Sequence, residues 1–401
     1  MPANTLPIYL DNQSTTPLDP RVIEAMLPYF TEHFGNPHST SHVYGRIAAE
    51  AVETARGEIA ALIHADPREI YFTSGATEAN NLAIKGAAHF ARAHQRGDGA
   101  VRDHLVVLAT EHKCLLESCA AVAREGFPIT YLPVESDGLV SVAALAAAIT
   151  ERTLLVSVMA AHNEIGVIQP LAEIGALCRD RGVLLHTDAA QAFGKIPLDV
   201  EAMHIDLMSI SGHKIYGPKG VGVLYVRRRP RVRLLPLIDG GGQERGLRSG
   251  TLPTPLCVGL GRAAAIAGTE MAAEAARIGR LRDRLYAGLA RRVPGLQLNG
   301  NAERRLPGNL NLVFPGILAP ALIEACPTIA ISTGSACTSA VVEPSYVLRA
   351  LGLPDALANA SIRIGLGRFT TDAQVDFAID ALAAAAAQLR ADGDDADLRG
   401  A

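Results

Sequence analysis

What this chain lacks narrows its class before any motif is read. No run of about 18 apolar residues occurs among its 401, so no simple membrane span is expected. The opening residues, Met1 to Pro7, show no basic stretch followed by an apolar one, and a secretory leader is not expected either. Its six cysteines, at 114, 119, 178, 257, 326 and 337, contain no CxxC pair. Structural disulfides are therefore not expected, and a reducing compartment, cytoplasmic by default, is. An excess of one charge is also missing: 41 acidic residues against 37 Lys and Arg leave a net −4, so no direct nucleic-acid partner is expected. The cluster Arg227, Arg228, Arg229, Arg231 and Arg233 reads as a solvated edge. Five cysteines lie in apolar or alanine-rich settings and read as inert packing residues, while Cys337 stands apart among small residues.

What is present is alternation. β-Branched runs at 69–73, 105–109, 129–132, 154–158, 183–186 and 221–226 are separated by segments with helical apolar spacing at 47–62, 78–92 and 171–181. Alternating βα units predict an α/β fold with a mostly parallel sheet covered on both faces. From about residue 263 a long helix, shorter strands and an alanine-rich C-terminal helix are expected, ending in a frayed polar tail from Ala391. A chain of 401 residues also exceeds what one core usually supports, so two domains are expected.

In such sheets ligands bind beyond the carboxyl ends of the strands, and that is where the polar residues gather. Gly75, Ala76 and Thr77 fall between a strand and a helix, an arrangement suited to an anion. Glu111-His112, His162-Asn163-Glu164, Asp188 and His213-Lys214 each follow a strand-like run. A lysine at one strand end, preceded by Ser211 and His213, and an aspartate at the end of another are the two groups pyridoxal 5′-phosphate most needs. Lys214 would hold the aldehyde as a Schiff base, and Asp188 would keep the pyridine nitrogen protonated. Gln191 would donate to the ring's phenolate oxygen, and His112 would lie flat against the ring.

With these residues in place, the sequence resembles the cysteine desulfurases of the NifS/IscS group, within the class V aminotransferase-like branch of fold-type I enzymes. The resemblance rests on residues 9–17, 34–37, 72–78, 111–113, 163–166, 211–220, 240–245, 248–251 and 334–339. It implies a large domain with a mostly parallel seven-stranded sheet (17–262). A smaller α+β domain (1–16 and 263–401) would carry the catalytic cysteine loop. It further implies that Thr77, Ser211 and His213 hold the phosphate together with Thr251 from the other subunit of a homodimer, and that Asn163 and Arg363 bind the substrate carboxylate. By the same resemblance Lys214, His112 and Cys337 are catalytic. L-cysteine would become L-alanine, and Cys337 would carry the sulfur as a persulfide to an acceptor protein such as an iron–sulfur scaffold or sulfur carrier. No metal site is expected beyond an iron–sulfur contact left open to Cys337.

Two departures stand out. His162 occupies a position that is usually asparagine in this group. The acidic segment 391–401 replaces the longer tail of scaffold-binding members. A β-eliminating lyase, a transaminase and a sulfur-relay protein without catalysis would share much of this pattern, and dependence on Cys337 and Lys214 separates them.

Overall fold

The computed structural model describes residues 6–94, 102–333 and 343–399. Its strands, in chain order, are β1 (Ile8–Tyr9), β2 (Ile70–Thr73), β3 (His104–Leu108), β4 (Ile129–Leu132), β5 (Thr153–Ser157), β6 (Leu184–Asp188), β7 (Leu207–Ser211), β8 (Gly222–Val226), β9 (Gln297–Leu298), β10 (Asn309–Val313), β11 (Ile329–Ala330) and β12 (Ser361–Gly365). Seven form one sheet in the order β2-β8-β7-β6-β5-β3-β4, with β8 alone running against its neighbours. β3, β7 and β8 are buried at every residue, as expected of strands covered on both faces. All six strand runs numbered in the sequence are present, and β7 is the strand-like run expected ahead of His213-Lys214.

Gly222 shows how closely this sheet edge is built. A Cβ there would stand 2.6 Å from Gly75 Cα and 2.5 Å from the Ile210 carbonyl oxygen. Only glycine lets the turn after β2 lie against β8.

A second, antiparallel sheet has the order β12-β10-β9, and β1 pairs in parallel with β11. Two large apolar clusters correspond to these layers. One covers one face of the seven-stranded sheet, whose other face packs on a smaller cluster, and the second large cluster packs β10 and β12 against the C-terminal helix. The helix Thr254–Arg292 serves both, giving Cys257, Leu260 and Ala263 to the first and Ile278, Leu281 and Leu285 to the second. It is long and apolar enough to cross a membrane by length and composition, but its apolar side chains are those that fill the two clusters. It starts at Thr254, earlier than the expected 263, with a proline in its first turn, where the missing N–H costs nothing. The C-terminal helix likewise runs through Arg399, where a frayed tail was expected from Ala391. A strong alanine run propagates the helix beyond the last packed turn.

The first layer is pinned by a buried ion pair. Arg56 Nη2 lies 2.8 Å from Glu244 Oε1, with the two side chains 3% and 2% exposed. Glu244 Oε2 also accepts the Phe72 backbone N–H at 2.6 Å, which ties the 240–251 segment to β2. Removing one member of such a pair strands the other charge away from water. Glu244→Ala is expected to lower unfolding free energy by about 3–5 kcal/mol in urea titration. Glu53→Ala removes Arg56's other partner, which is 62% exposed, and is expected to cost at most about 1 kcal/mol.

Candidate active site

Five strand ends converge on one cavity of about 760 Å³ at the carboxyl edge of the large sheet. After β2 the chain turns through Ser74 and Gly75 into the helix Ala76–Ala93. Gly75 caps that helix without a side-chain hydrogen bond, at φ 154°, and no atom lies within 4 Å of where a Cβ would stand. The first-turn amides therefore face open space at the positive end of an 18-residue helix. Glu78, the acid in this turn, is drawn aside by Arg248 at 2.8 Å and by the Ser74 amide.

After β3, His112 caps the helix Lys113–Arg124, its Nδ1 accepting the Cys114 backbone N–H at 3.2 Å. After β6, Asp188 is buried: Oδ2 accepts from Asn80 Nδ2 at 2.7 Å and Oδ1 from the Ala190 N–H at 2.9 Å. After β7, a single 3-10 turn presents His213 and Lys214. Lys214 Nζ donates to the carbonyls of Gln13 and Ser14 at 2.6 and 2.7 Å. Opposite, on β12, Arg363 is buried. Its Nη2 meets Asp11 Oδ1 at 2.9 Å and Ser14 Oγ at 2.6 Å, and its Nη1 donates to the Asn163 carbonyl at 3.0 Å.

Of the residues singled out from sequence, Gly75, Ala76, Thr77, His112, Asn163, Asp188, Gln191, Ser211, His213, Lys214 and Arg363 all line this cavity. Thr251 does not line it and is exposed. Cys337 lies outside the described residues. The cavity also takes in residues to which no role was given: Gln13, Ser14, Met159 and Tyr346. Residues 9–17 had been noticed as a motif, but nothing in the local pattern says that they cross beneath Lys214. Asn80 was legible in principle, three residues after Thr77 and so on the same helix face.

One reading changes. Cys119, Cys178, Cys257 and Cys326 are buried packing residues, but Cys114 lines the cavity, with its Sγ 3.1 Å from His112 Nδ1 and 3.2 Å from Asn80 Nδ2. Its thiol is not an activated one, since burial, followed by the Asp188 charge, pushes it up to about 11. His162 sits behind the wall. Its Nδ1 accepts the Glu164 N–H at 3.0 Å and its Nε2 donates to the Thr110 carbonyl at 2.8 Å, while burial pulls it down to about 4. It is a neutral, doubly bonded core histidine.

Burial shapes the other bases too. Lys214 is lowered to about 8, first by removal from water and then by the Arg363 cation. His213 falls to about 4, again through burial and then the Lys214 and Lys219 charges. Such a wall combines a lysine poised near neutrality, a buried carboxylate with two donors, and an open helix start.

Comparison with known proteins agrees with this geometry. The aminotransferase class-V family matches residues 8–377. The chain is 56% identical over 387 residues to the cysteine desulfurase IscS of Rickettsia rickettsii, covering 96% of this chain and 93% of that one. It superposes on a solved NifS-like protein with a TM-score of 0.86 at 36% identity, covering 94% of this chain and 98% of that one. A structure described as SspA in complex with cysteine follows, at TM-score 0.79 and 38% identity, covering 91% of this chain and all of that one. Fold and site thus define a fold-type I enzyme dependent on pyridoxal 5′-phosphate. The chain belongs to the class-V aminotransferase family and, within it, to the cysteine desulfurases.

The residues present fit that cofactor: an anion opening at Gly75, a lysine amine, and Asp188 fixed by Asn80 lie on one wall. Only a neutral amine attacks an aldehyde. Uptake of added pyridoxal phosphate by the apo-protein, trapped with borohydride, is therefore expected to accelerate with pH and level off above about 8. A rate still climbing towards 10.5, the value of a free lysine, would show that the cavity does not lower this amine.

Proposed function

We propose that this chain converts L-cysteine to L-alanine and transfers the sulfur to Cys337 as a persulfide. Sulfur would then pass to an acceptor protein, such as one of iron–sulfur cluster assembly or tRNA thiolation. The observation that carries the site assignment is the convergence of Lys214, Asp188 and Arg363 on one cavity, each fixed by named partners.

Pyridoxal phosphate, when bound, supplies a conjugated electron sink for the bond broken at the substrate Cα. Lys214 anchors the cofactor, then takes the proton from the substrate Cα and returns one. Asp188 holds a proton on the ring nitrogen. Gly75, Ala76, Thr77, Ser211 and His213 receive the phosphate, joined by the partner subunit's Thr251 in a homodimer. That the exposed Thr251 stays clear of its own cavity is consistent with service to the other one. His112 covers the ring face and moves protons at the edge of the cavity.

Arg363 receives the substrate carboxylate, its planar fork suited to two oxygens, with Asn163 beside it. The Cys337 thiolate attacks the substrate sulfur, so the substrate's C–S bond breaks as the S–S bond forms, and the carbon takes up a proton. Residues 17–262 are proposed as the cofactor domain, with 1–16 and 263–401 as the small domain; the two apolar clusters support this division. The cytoplasm is the proposed location.

The test follows L-cysteine conversion to alanine and sulfide, with a reductant present. Lys214→Ala is expected to abolish turnover. Cys337→Ala is expected to keep the cofactor's colour yet lose sulfur transfer. Undiminished sulfur release by the Cys337→Ala protein would make the enzyme an eliminating lyase instead.

A further inference from the structure

The oxygen and nitrogen of a carboxamide are nearly isosteric, so the end that Gln191 presents to the cavity has to be set by its neighbours. Lys195 sets it. Its Nζ stands 3.1 Å from Gln191 Oε1. An ammonium group only donates, so the atom it meets is the oxygen. Nε2 is thereby turned the other way, where it donates to the Gln13 carbonyl at 2.8 Å. That same carbonyl accepts Lys214 Nζ at 2.6 Å. Gln191 and Lys214 therefore meet at one acceptor on the active-site wall.

Lys195 itself faces away from that wall. It lines a second cavity, of about 30 Å³, shared with Gln13, Tyr216 and Glu274. Gln13 Oε1 is buried with no hydrogen-bond partner among the described residues, so Gln13 offers Gln191 only its backbone carbonyl. Burial, then the Lys214 cation, lower Lys195 to about 7 against the opposing pull of Glu274, so below that pH it is an ammonium group and above it a neutral amine.

We propose that Lys195 is a positioning residue for this reaction: it locks the Gln191 carboxamide with Nε2 towards the active-site cavity, where that group donates to the anionic ring oxygen of the cofactor. This rests on the cofactor-site reading given above. Lys195 touches neither substrate nor cofactor, and it acts through Gln191.

The experiment is a pH titration of the visible absorption of the loaded enzyme. A donor at the ring oxygen stabilises its negative charge and so eases loss of the neighbouring proton. Lys195→Met is expected to move the midpoint up by about one unit, the scale of one lost hydrogen bond or charge. Lys195→Arg, again a pure donor, is expected to stay near the parent. In a Gln191→Leu background, Lys195→Met is expected to add little, because the two substitutions break one device. An equal shift in both backgrounds would assign Lys195 a through-space charge effect and overturn the positioning role, as would an unchanged midpoint in the single variant. Lys195→Gln, which offers Gln191 either a donor or an acceptor, is expected to shift the midpoint less; it decides the matter should the methionine variant not fold. A parent protein that shows no visible band with pyridoxal phosphate would defeat the cofactor reading itself, an outcome distinct from the others.

Discussion

The site depends on a short strap of chain, residues 11–16, held between the two sheets. On one side Asn12 binds the Gly365 carbonyl through both its backbone and its side-chain nitrogen, at 3.1 and 2.8 Å, and Asp11 pairs with Arg363. On the other side Thr16 binds the His213 carbonyl and receives the Tyr216 amide at 2.8 Å, while Thr15 Oγ1 lies 3.0 Å from His213 Nδ1. Between these anchors the Gln13 and Ser14 carbonyls hold Lys214. The strap lies so close to β12 because residue 365 is glycine: a Cβ there would come within 2.8 Å of the Asn12 backbone nitrogen. One backbone segment thus sets the separation of the lysine from the arginine. In the proposed reaction that separation is the span from the bond-breaking end of the substrate to its carboxylate.

The same construction explains how the cavity handles charge. Lys214, His213 and His112 are all lowered, each first by burial, so burial favours neutral imidazoles on this wall and leaves Lys214 as the base that exchanges a proton near neutrality. Arg363 differs in kind. It sits among Asp11, Ser14, Ser332 and the Asn163 carbonyl, a setting that satisfies a permanent cation. A carboxylate arriving from solution would find the guanidinium already oriented, so little ordering remains to be done on binding.

Much of this was legible in the sequence because the chemistry clusters at strand ends. Asp188, Lys214, His112 and the turn at Gly75 each lie at or just past the carboxyl end of a strand, so strand prediction and site prediction were a single inference. The residues that hold them were harder to read. Asn80 bonds Asp188 across 108 positions, and Gln13 meets Lys214 across 201; such pairings belong to topology and leave no local period. The Arg56–Glu244 pair escaped for the same reason. Cys114 misled because its neighbours are apolar: the helix it opens buries Leu115 and Cys119 but leaves residue 114 half-buried at the mouth of the helix, against His112. A hydrophobic context reports the face of the helix interior, not that of its first turn.

Two acids near the cofactor wall show how hydrogen bonding divides their roles. Glu111 is fully buried and accepts one bond on Oε1, from the Met159 amide at 2.6 Å, while Oε2 has no partner among the described residues. Burial first, and the Asp188 charge second, push its carboxyl well above the usual range, which favours its neutral form. Asp188 is nearly as buried but accepts from both Asn80 and Ala190. Two charged carboxylates in one apolar wall would repel each other with little water to screen them, so the side chain supplied with two donors is the one fitted to carry the charge. The difference between the acid that lines the cavity and the acid behind it therefore comes down to the donors around Asp188, chief among them Asn80, one turn into the helix Ala76–Ala93. In the proposed site this single helix would serve both ends of the cofactor: its start would offer amides to the phosphate, and Asn80, one turn in, fixes the Asp188 carboxylate.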